Sequence, residues 1–121
     1  MTLVSFDIDG TLEVGDPPGI VSIALVKRAK HLGYVIGSCS DRPVSHQQDI
    51  WARLLGIVPD FTVLKHRLDD VKARFAADTY YHIGDTEIDE HFAARAGFRF
   101  LRADVVTHQA WVDELFAGEW E

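Results

Sequence analysis

The sequence predicts a single α/β domain in which a parallel β-sheet is covered by helices. Three observations support this fold class. Short apolar segments with the length of buried strands alternate with segments of helical periodicity along the 121 residues. The connections between these segments are only a few residues long, as is usual in α/β units. The composition, 47% hydrophobic and 26% charged, is that of an ordinary folded domain.

Five apolar segments, each bounded by glycine, proline or charged residues, are predicted to form buried strands. They lie at residues 3–6, 35–37, 61–64, 80–83 and 98–101. A helical segment separates each strand from the next, so consecutive strands are expected to run parallel.

Five further segments place apolar residues at helical spacing. They cover residues 19–32, 44–55, 68–76, 88–96 and 107–116. Asp16 followed by Pro17 has the pattern of a helix start, with a capping carboxylate before proline at the first helical position. Gly33, Gly56 and Gly97 are predicted to end helices. The alternation predicts a Rossmann-like, three-layer sandwich with helices on both faces of a five-stranded sheet.

Composition and charge argue against several classes of protein. No apolar run approaches the roughly 18 residues of a membrane span, so no membrane partner is expected. The first residues lack a basic region and include an acidic residue, Asp7, too early for a secretory signal, and the lone Cys39 cannot form an intrachain disulfide. We therefore expect a cytoplasmic location. The 12 basic and 19 acidic residues give a net charge of −7, which disfavours nucleic acid as a partner.

Polar residues follow four of the five predicted strands at their carboxyl ends, where parallel α/β sheets bind ligands. They are Asp7, Asp9, Gly10 and Thr11 after the first strand, Ser38 and Ser40 after the second, Lys65 after the third, and Asp85 and Asp89 after the fourth. Carboxylates at one edge repel each other unless a cation neutralises them, and ligands that are all oxygens favour Mg²⁺. Because Ser40, Lys65 and the backbone amides of the Gly10 turn could hold a phosphate, the pattern predicts a phosphoryl-transfer site.

Four stretches of the chain resemble the ordered motifs of the haloacid dehalogenase superfamily. They are Asp7-Ile8-Asp9-Gly10-Thr11 for its D-x-D-G-T signature, Ser40-Asp41-Arg42-Pro43 for the second motif, Lys65 for the third, and Gly84-Asp85-x-x-x-Asp89 for the fourth. Together they span most of the chain. Lys72 is an alternative to Lys65 in the third motif, and Ser38 is an alternative to Ser40 in the second. The resemblance implies the strand order 5-4-1-2-3, with the first and fourth strands adjacent.

The resemblance also implies a Mg²⁺-dependent phosphatase that works through an aspartyl-phosphate intermediate. Asp7 would be the nucleophile, and Asp9 would be the general acid and base. The Mg²⁺ would be bound by Asp7, the backbone carbonyl of Asp9 and Asp85, and Asp89 would either join these ligands or order a metal-bound water. The phosphoryl group would be bound by Ser40, Lys65, Gly10 and Thr11.

Members of this family usually carry a substrate-reading cap in one of two positions. The corresponding segments here, 12–34 and 43–64, are each only about 20 residues long, so the whole chain, residues 1–121, is expected to be one catalytic core without a cap. The capless subgroup that it resembles acts on large phosphorylated substrates or closes its sites by forming a homo-oligomer. Residues 13–18 could serve as a small flap. Two alternatives stay open: a polynucleotide 3′- or 5′-end phosphatase, and a module that binds metal or phosphate without turnover.

The other polar and aromatic residues have structural explanations. Arg42 is expected to be a surface arginine rather than a phosphate ligand. His82, three residues before Asp85, could tune that carboxylate. The tryptophans at positions 51, 111 and 120 are expected to pack in the core or between helices. An exposed site together with three tryptophans is also compatible with a dimer.

Overall fold

The computed structural model describes residues 1–117, which contain five strands and five α-helices in alternating order. The strands are β1 Thr2–Phe6, β2 Val35–Ser40, β3 Phe61–Leu64, β4 Thr79–Gly84 and β5 Arg99–Arg102. The helices are α1 Ile23–His31, α2 Val44–Ile50, α3 Leu68–Arg74, α4 Glu87–Ala96 and α5 His108–Leu115. A π-helical segment, Trp51–Leu55, continues α2, and a 3₁₀ turn, Lys65–Arg67, precedes α3.

All five strands are parallel, in the order β3-β2-β1-β4-β5. Read from the other edge, this is the predicted order 5-4-1-2-3, so the predicted fold class is confirmed. The central strand β1 pairs with both β2 and β4, and Leu3 lies between Val35 and Tyr80. The chain proceeds outward from β1 in one direction through β2 and β3, and then in the other through β4 and β5. The point of reversal lies between β1 and β4, where open α/β sheets bind ligands.

Two hydrophobic layers enclose the sheet because successive strand residues face opposite sides. Val4 and Phe6 of β1 pack in one layer with α1, α5 and the π-helical segment. Leu3 faces the other layer, which α3 and α4 cover. Trp51 and Trp111 are both buried in the first layer, so neither is available for contact with a second chain. Trp120 lies outside the described residues.

The predicted helix start at Asp16 is wrong. Helix α1 begins at Ile23, and the side chain of Ser22 caps it by accepting a hydrogen bond from the Leu25 amide. The Asp16–Pro17 peptide bond is cis and lies in a loop. Helix ends are predicted better than this start: Gly56 ends the π-helical segment, and Gly97 ends α4.

Tertiary backbone pairing explains the late start of α1. The amide of Gly19 donates to the Leu12 carbonyl, and the amide of Val21 donates to the Thr11 carbonyl. Leu12 and Val21 thereby form a parallel bridge, which holds the preceding residues in extended or turned backbone. We call residues 13–18, enclosed by this bridge, the flap.

Strand β2 is longer than predicted. It continues to Ser40 rather than ending at Gly37, so Ser38, Cys39 and Ser40 are strand residues and are buried. Two of these three side chains are serine hydroxyls, so the apolar pattern of the sequence ends before the strand does. None of the helices in residues 1–117 has the length and apolar character needed to cross a membrane.

Candidate functional site

Three aspartates meet at the carboxyl edge of the sheet. Asp7 directly follows β1, Asp85 directly follows β4, and Asp89 lies in the first turn of α4. Because β1 and β4 are neighbours with Phe6 opposite Ile83, their ends bring Asp7 and Asp85 together. One oxygen from each of the three carboxylates lies within 4.8 Å of the others, so the three residues could hold a metal ion. Ligands that are all carboxylate oxygens suit a hard divalent cation.

The environment of the Asp7 carboxyl group disfavours its charged form. Its residue is only 3% exposed. Burial, followed by the charge of Asp89, raises the pKa of Asp7 from 3.8 to about 8, although the nearby Lys65 ammonium group opposes this shift. A bound cation would therefore favour the ionised form of Asp7.

Lys65 supplies a positive charge next to the group of aspartates. The 3₁₀ turn after β3 places its buried ammonium nitrogen 3.8 Å from Asp7 Oδ2, 3.4 Å from Asp89 Oδ1 and 3.5 Å from Asp41 Oδ2. Burial disfavours the ammonium form, but the charges of Asp7, Asp89 and Asp41 outweigh it and raise the pKa of Lys65. The alternative lysine, Lys72, instead donates to the Gly97 carbonyl at 3.3 Å on the surface.

Asp89 is fixed by hydrogen bonds on both oxygens. Its Oδ1 lies 3.0 Å from His82 Nε2, and its Oδ2 accepts from the hydroxyl of Thr86 at 2.8 Å. Since the carboxylate can only accept, His82 carries a proton on Nε2. The other ring nitrogen, Nδ1, lies 2.9 Å from the Ser5 hydroxyl oxygen. Burial would raise the pKa of Asp89, but the His82 hydrogen bond and charge and the Lys65 charge outweigh it and lower the pKa. His82 therefore contacts Asp89, not Asp85 as the sequence suggested.

Two glycines let the carboxylates approach the backbone closely. A Cβ atom on Gly10 would lie 2.0 Å from Asp85 Oδ2, and one on Gly84 would lie 2.4 Å from the Asp89 side chain. Gly10 also has a φ of +75°, which favours glycine. No side chain fits at either position without displacing a candidate metal ligand.

Gly10→Ala is expected to weaken divalent-ion binding at least about 10-fold, because the new methyl group displaces the Asp85 carboxylate. Gly33→Ala is the matched control. Gly33 has a φ of +83°, but a Cβ there meets nothing within 4 Å. Both variants should lose roughly 1 kcal/mol of stability to backbone strain, whereas only Gly10→Ala should lose metal affinity in a calorimetric titration. Equal affinities in the two variants would show that Asp85 is not a ligand.

The Asp9 carboxylate lies outside the group of three and is held by Arg42. Arg42 Nε donates to Asp9 Oδ2 at 2.9 Å, and Arg42 Nη2 donates to Asp9 Oδ1 at 2.8 Å. The backbone amide of Asp16, in the flap, also donates to Asp9 Oδ1 at 2.8 Å. The hydrogen bond from Arg42 is the main cause that lowers the pKa of Asp9, and partial burial opposes it. Arg42 is thus part of the site rather than a solvated surface residue.

The two candidate serines of β2 have different environments. Ser38 donates to Gln47 Oε1 at 2.7 Å and accepts from Trp51 Nε1 at 2.9 Å, so its hydroxyl belongs to the packing of α2 against the sheet. Ser40 ends the strand, and its hydroxyl oxygen accepts from the Arg42 amide at 3.1 Å. This bond leaves the hydroxyl proton of Ser40 available to donate.

Thr11 and the Gly10 turn hold the carboxylates and the flap. The Thr11 hydroxyl is 3.4 Å from Asp7 Oδ2 and 3.3 Å from Asp85 Oδ1, so it bridges two of the three aspartates. The amides of Gly10 and Thr11, expected to bind phosphate, donate instead to the carbonyls of Pro17 and Ile8. In this structure they stabilise the turn that leads into the flap.

Besides Thr11, three residues of the site were not predicted in their observed roles: Arg42, His82 and Gln47. Gln47 is fully buried and donates to the carbonyls of Arg42 at 2.8 Å and Val63 at 3.0 Å, which ties the loop after β2 to β3. Of these three, His82 could have been predicted from the sequence as a residue that needs a hydrogen-bonding partner. His82 lies opposite Ser5 in the register of β1 and β4, and a polar pair in the centre of a buried sheet requires partners.

The arrangement combines a buried carboxylate, further carboxylates that could bind a cation, and a buried lysine. With all three aspartates ionised, the single ammonium group of Lys65 leaves the cluster net negative, so a divalent cation would neutralise it. Such a site can bring a dianionic group next to Asp7 and stabilise the charge that develops on it. No model of a known protein family matches the chain, and no curated protein matches it.

Proposed function

We propose that the protein is a Mg²⁺-dependent phosphomonoester hydrolase in which Asp7 forms an aspartyl-phosphate intermediate. The observation that carries the proposal is the position of Asp7 at the point of strand reversal. Its carboxylate lies 3.8 Å from the Lys65 ammonium group and among the possible metal ligands Asp85 and Asp89. The resemblance of the four motifs to the haloacid dehalogenase superfamily supports the same chemistry.

The donor set fits Mg²⁺. Asp7, Asp85 and Asp89 would bind the ion together with the backbone carbonyl of Asp9, and all of these ligands are oxygens. Bound there, the ion would supply positive charge to the transferring phosphoryl group and favour the ionised form of Asp7. The raised pKa of Asp7 is consistent with a carboxylate that becomes an efficient nucleophile only when a cation is present.

The protein residues divide the reaction into two displacements. In the first, an Asp7 oxygen attacks phosphorus and the bond to the leaving oxygen breaks, while Asp9 in its protonated form supplies the proton. In the second, water attacks the phosphoaspartate, its proton passes to the Asp9 carboxylate, and inorganic phosphate leaves Asp7. Lys65 and the Ser40 hydroxyl would bind the phosphoryl oxygens in both steps.

Hydrolysis of a phosphomonoester panel tests the proposal. The panel contains 4-nitrophenyl phosphate, sugar phosphates and short oligonucleotides with 3′ or 5′ phosphates, each with Mg²⁺ and with EDTA. We expect Mg²⁺-dependent release of phosphate and an acid-stable, hydroxylamine-sensitive phosphoprotein. Preference for oligonucleotides would assign the polynucleotide-end reaction instead. Metal binding without hydrolysis of any substrate would leave a binding module and refute the enzymatic proposal.

A further inference from the structure

Three polar side chains form a buried column in the layer of the core that α3 and α4 cover. Ser5 on β1, His82 on β4 and Asp89 on α4 are each at most 1% exposed. The surrounding layer is apolar, with Leu3 and Ala93 fully buried. Buried polar groups lower the stability of a fold unless each has a hydrogen-bonding partner, so the contacts within this column indicate what it does.

The column runs from the sheet to the first turn of α4. Ser5 and His82 lie opposite each other in the register of β1 and β4, and the Ser5 hydroxyl oxygen is 2.9 Å from His82 Nδ1. The other ring nitrogen, Nε2, is 3.0 Å from Asp89 Oδ1. Because both ring nitrogens have partners, the imidazole cannot turn without breaking a hydrogen bond. The ring therefore presents an N–H donor to Asp89 from a fixed place on the sheet.

Two positively polarised groups compete for the same oxygen of Asp89. The ammonium nitrogen of Lys65 is 3.4 Å from Oδ1, whereas charge-assisted N–H···O bonds to carboxylates are usually about 2.7–2.9 Å long. The ion pair is therefore not at its closest approach, while the bond from His82 to the same oxygen is shorter. The Thr86 hydroxyl holds the other oxygen, Oδ2, at 2.8 Å. The bonds from His82 and Thr86 together keep the carboxylate from turning fully towards Lys65.

We propose that His82 is a positioning residue that keeps the Asp89 carboxylate available to a divalent cation shared with Asp7 and Asp85. This inference rests on the metal site of the proposed function. His82 contacts neither the cation nor the substrate in this role and acts through Asp89. Without its N–H donor, we expect Asp89 Oδ1 to move closer to Lys65 and to form a full ion pair, which a binding cation would have to break.

Calorimetric titration of Mg²⁺ into a matched pair of variants tests this role. The side-chain amide nitrogen of glutamine can take the place of Nε2, whereas the shorter asparagine can replace only Nδ1. His82→Asn should therefore weaken Mg²⁺ binding by about 10- to 100-fold, the range for loss of a residue that orients a metal ligand. His82→Gln should stay within about three-fold of the wild type. His91→Asn, which alters an exposed histidine of α4, should match the wild type.

Further measurements separate positioning from a purely structural role. Val71→Ala removes buried apolar volume from the same layer and should lower the urea midpoint without changing Mg²⁺ affinity. In a Lys65→Met background, His82→Asn should weaken Mg²⁺ binding by less than about three-fold, because the competing ammonium group is absent. Hydrolysis of 4-nitrophenyl phosphate by His82→Asn should need more Mg²⁺ for half-saturation, yet recover to within about three-fold of the wild-type rate when Mg²⁺ saturates.

Ser5→Ala gives a second test of the same column, because it keeps the imidazole ring and removes only the hydroxyl bonded to Nδ1. With one of its two bonds lost, the ring should hold Asp89 less firmly, and Mg²⁺ binding should weaken by about three-fold or more. This variant decides the question if His82→Asn does not fold.

The outcomes distinguish this inference from the proposed function. Wild-type Mg²⁺ affinity in folded His82→Asn or in Ser5→Ala would overturn the inference, and so would equal losses in His82→Asn and His82→Gln, which would attribute the effect to packing of the ring. The phosphatase function would stand in each case if the wild type hydrolyses phosphomonoesters. A wild type that binds Mg²⁺ but hydrolyses none of them would refute the proposed function and leave the role of His82 intact. A wild type that binds no Mg²⁺ would overturn both.

Discussion

Asp7→Asn is expected to abolish phosphomonoester hydrolysis and to make the metal-free protein more stable at pH 8. Removal of the nucleophile should lower kcat by at least about 1000-fold, since the amide cannot form the covalent intermediate. The gain in stability has a separate cause. The variant replaces a buried carboxyl group, whose charge the fold disfavours, with a neutral group of nearly the same shape.

The sign of the pH dependence follows from the direction of the pKa shift. Burial, and after it the Asp89 charge, raises the pKa of Asp7 from 3.8 to about 8, so the folded protein binds a proton that the unfolded chain has lost. The contribution of Asp7 to the stability of the wild type therefore falls as pH rises between about 4 and 8, by up to roughly 1.4 kcal/mol per pH unit. Asn at position 7 does not titrate, so the variant does not lose stability in this way. Its free energy of unfolding should exceed that of the wild type by an amount that grows over the same range to about 2 kcal/mol or more at pH 8.

Urea unfolding in EDTA at pH 5 and pH 8 measures the difference, with Asp41→Asn as the control. Asp41 also lies near Lys65, but its side chain is 83% exposed, so its loss should change stability by less than about 0.5 kcal/mol at both pH values. Addition of Mg²⁺ should stabilise the wild type and reverse the order. Retained hydrolysis by Asp7→Asn would exclude Asp7 as the nucleophile. If the variant were less stable than the wild type at pH 8 in EDTA, the fold would not disfavour the charge of Asp7.

The sheet and the meeting of Asp7 with Asp85 could be predicted because both follow from regular structure. The strands are recognisable in the sequence as apolar segments, and the carboxyl ends of adjacent parallel strands must lie at one edge of the sheet. Lys65 could be preferred to Lys72 for the same reason, since it directly follows a strand. Where a residue's position is fixed by the sheet, the sequence is sufficient to predict it.

Contacts between loops could not be predicted in this way. Asp16 and Pro17 carry a valid local helix signal, but hydrogen bonds from Gly19 and Val21 to the turn after β1 hold that segment as a flap. The pairing of Asp9 with Arg42 depends on the path of two loops and on two side-chain rotamers, none of which has a sequence periodicity. Contacts between side chains of two loops can therefore be identified only from the three-dimensional structure.

Lys65→Met is expected to destabilise the metal-free protein by about 3 kcal/mol at pH 8, because it leaves buried carboxylates without their cation. The ammonium nitrogen lies 3.8 Å from Asp7 and 3.4 Å from Asp89, and its charge lowers the pKa of both groups. Without it their pKa values in the folded state rise. Each rise costs stability only above the pH at which the wild-type group ionises, so the deficit should increase as pH rises above about 2 because of Asp89, increase again near pH 8 because of Asp7, and be smallest in acid.

Mg²⁺ should affect Lys65→Met in two opposite ways. Binding of the ion should be as tight as in the wild type or tighter, because a positive charge beside two of its ligands has been removed, and it should restore much of the lost stability. Hydrolysis should nevertheless fall by about 100-fold or more, since the ion alone does not replace the charge that Lys65 presents to the phosphoryl group.

Lys72→Met, which removes the exposed lysine beside Gly97, should match the wild type in stability, Mg²⁺ affinity and turnover. If the two variants lost activity equally, the assignment of Lys65 as the phosphate-binding cation would be wrong. Weaker Mg²⁺ binding by Lys65→Met would contradict the repulsion between Lys65 and the ion.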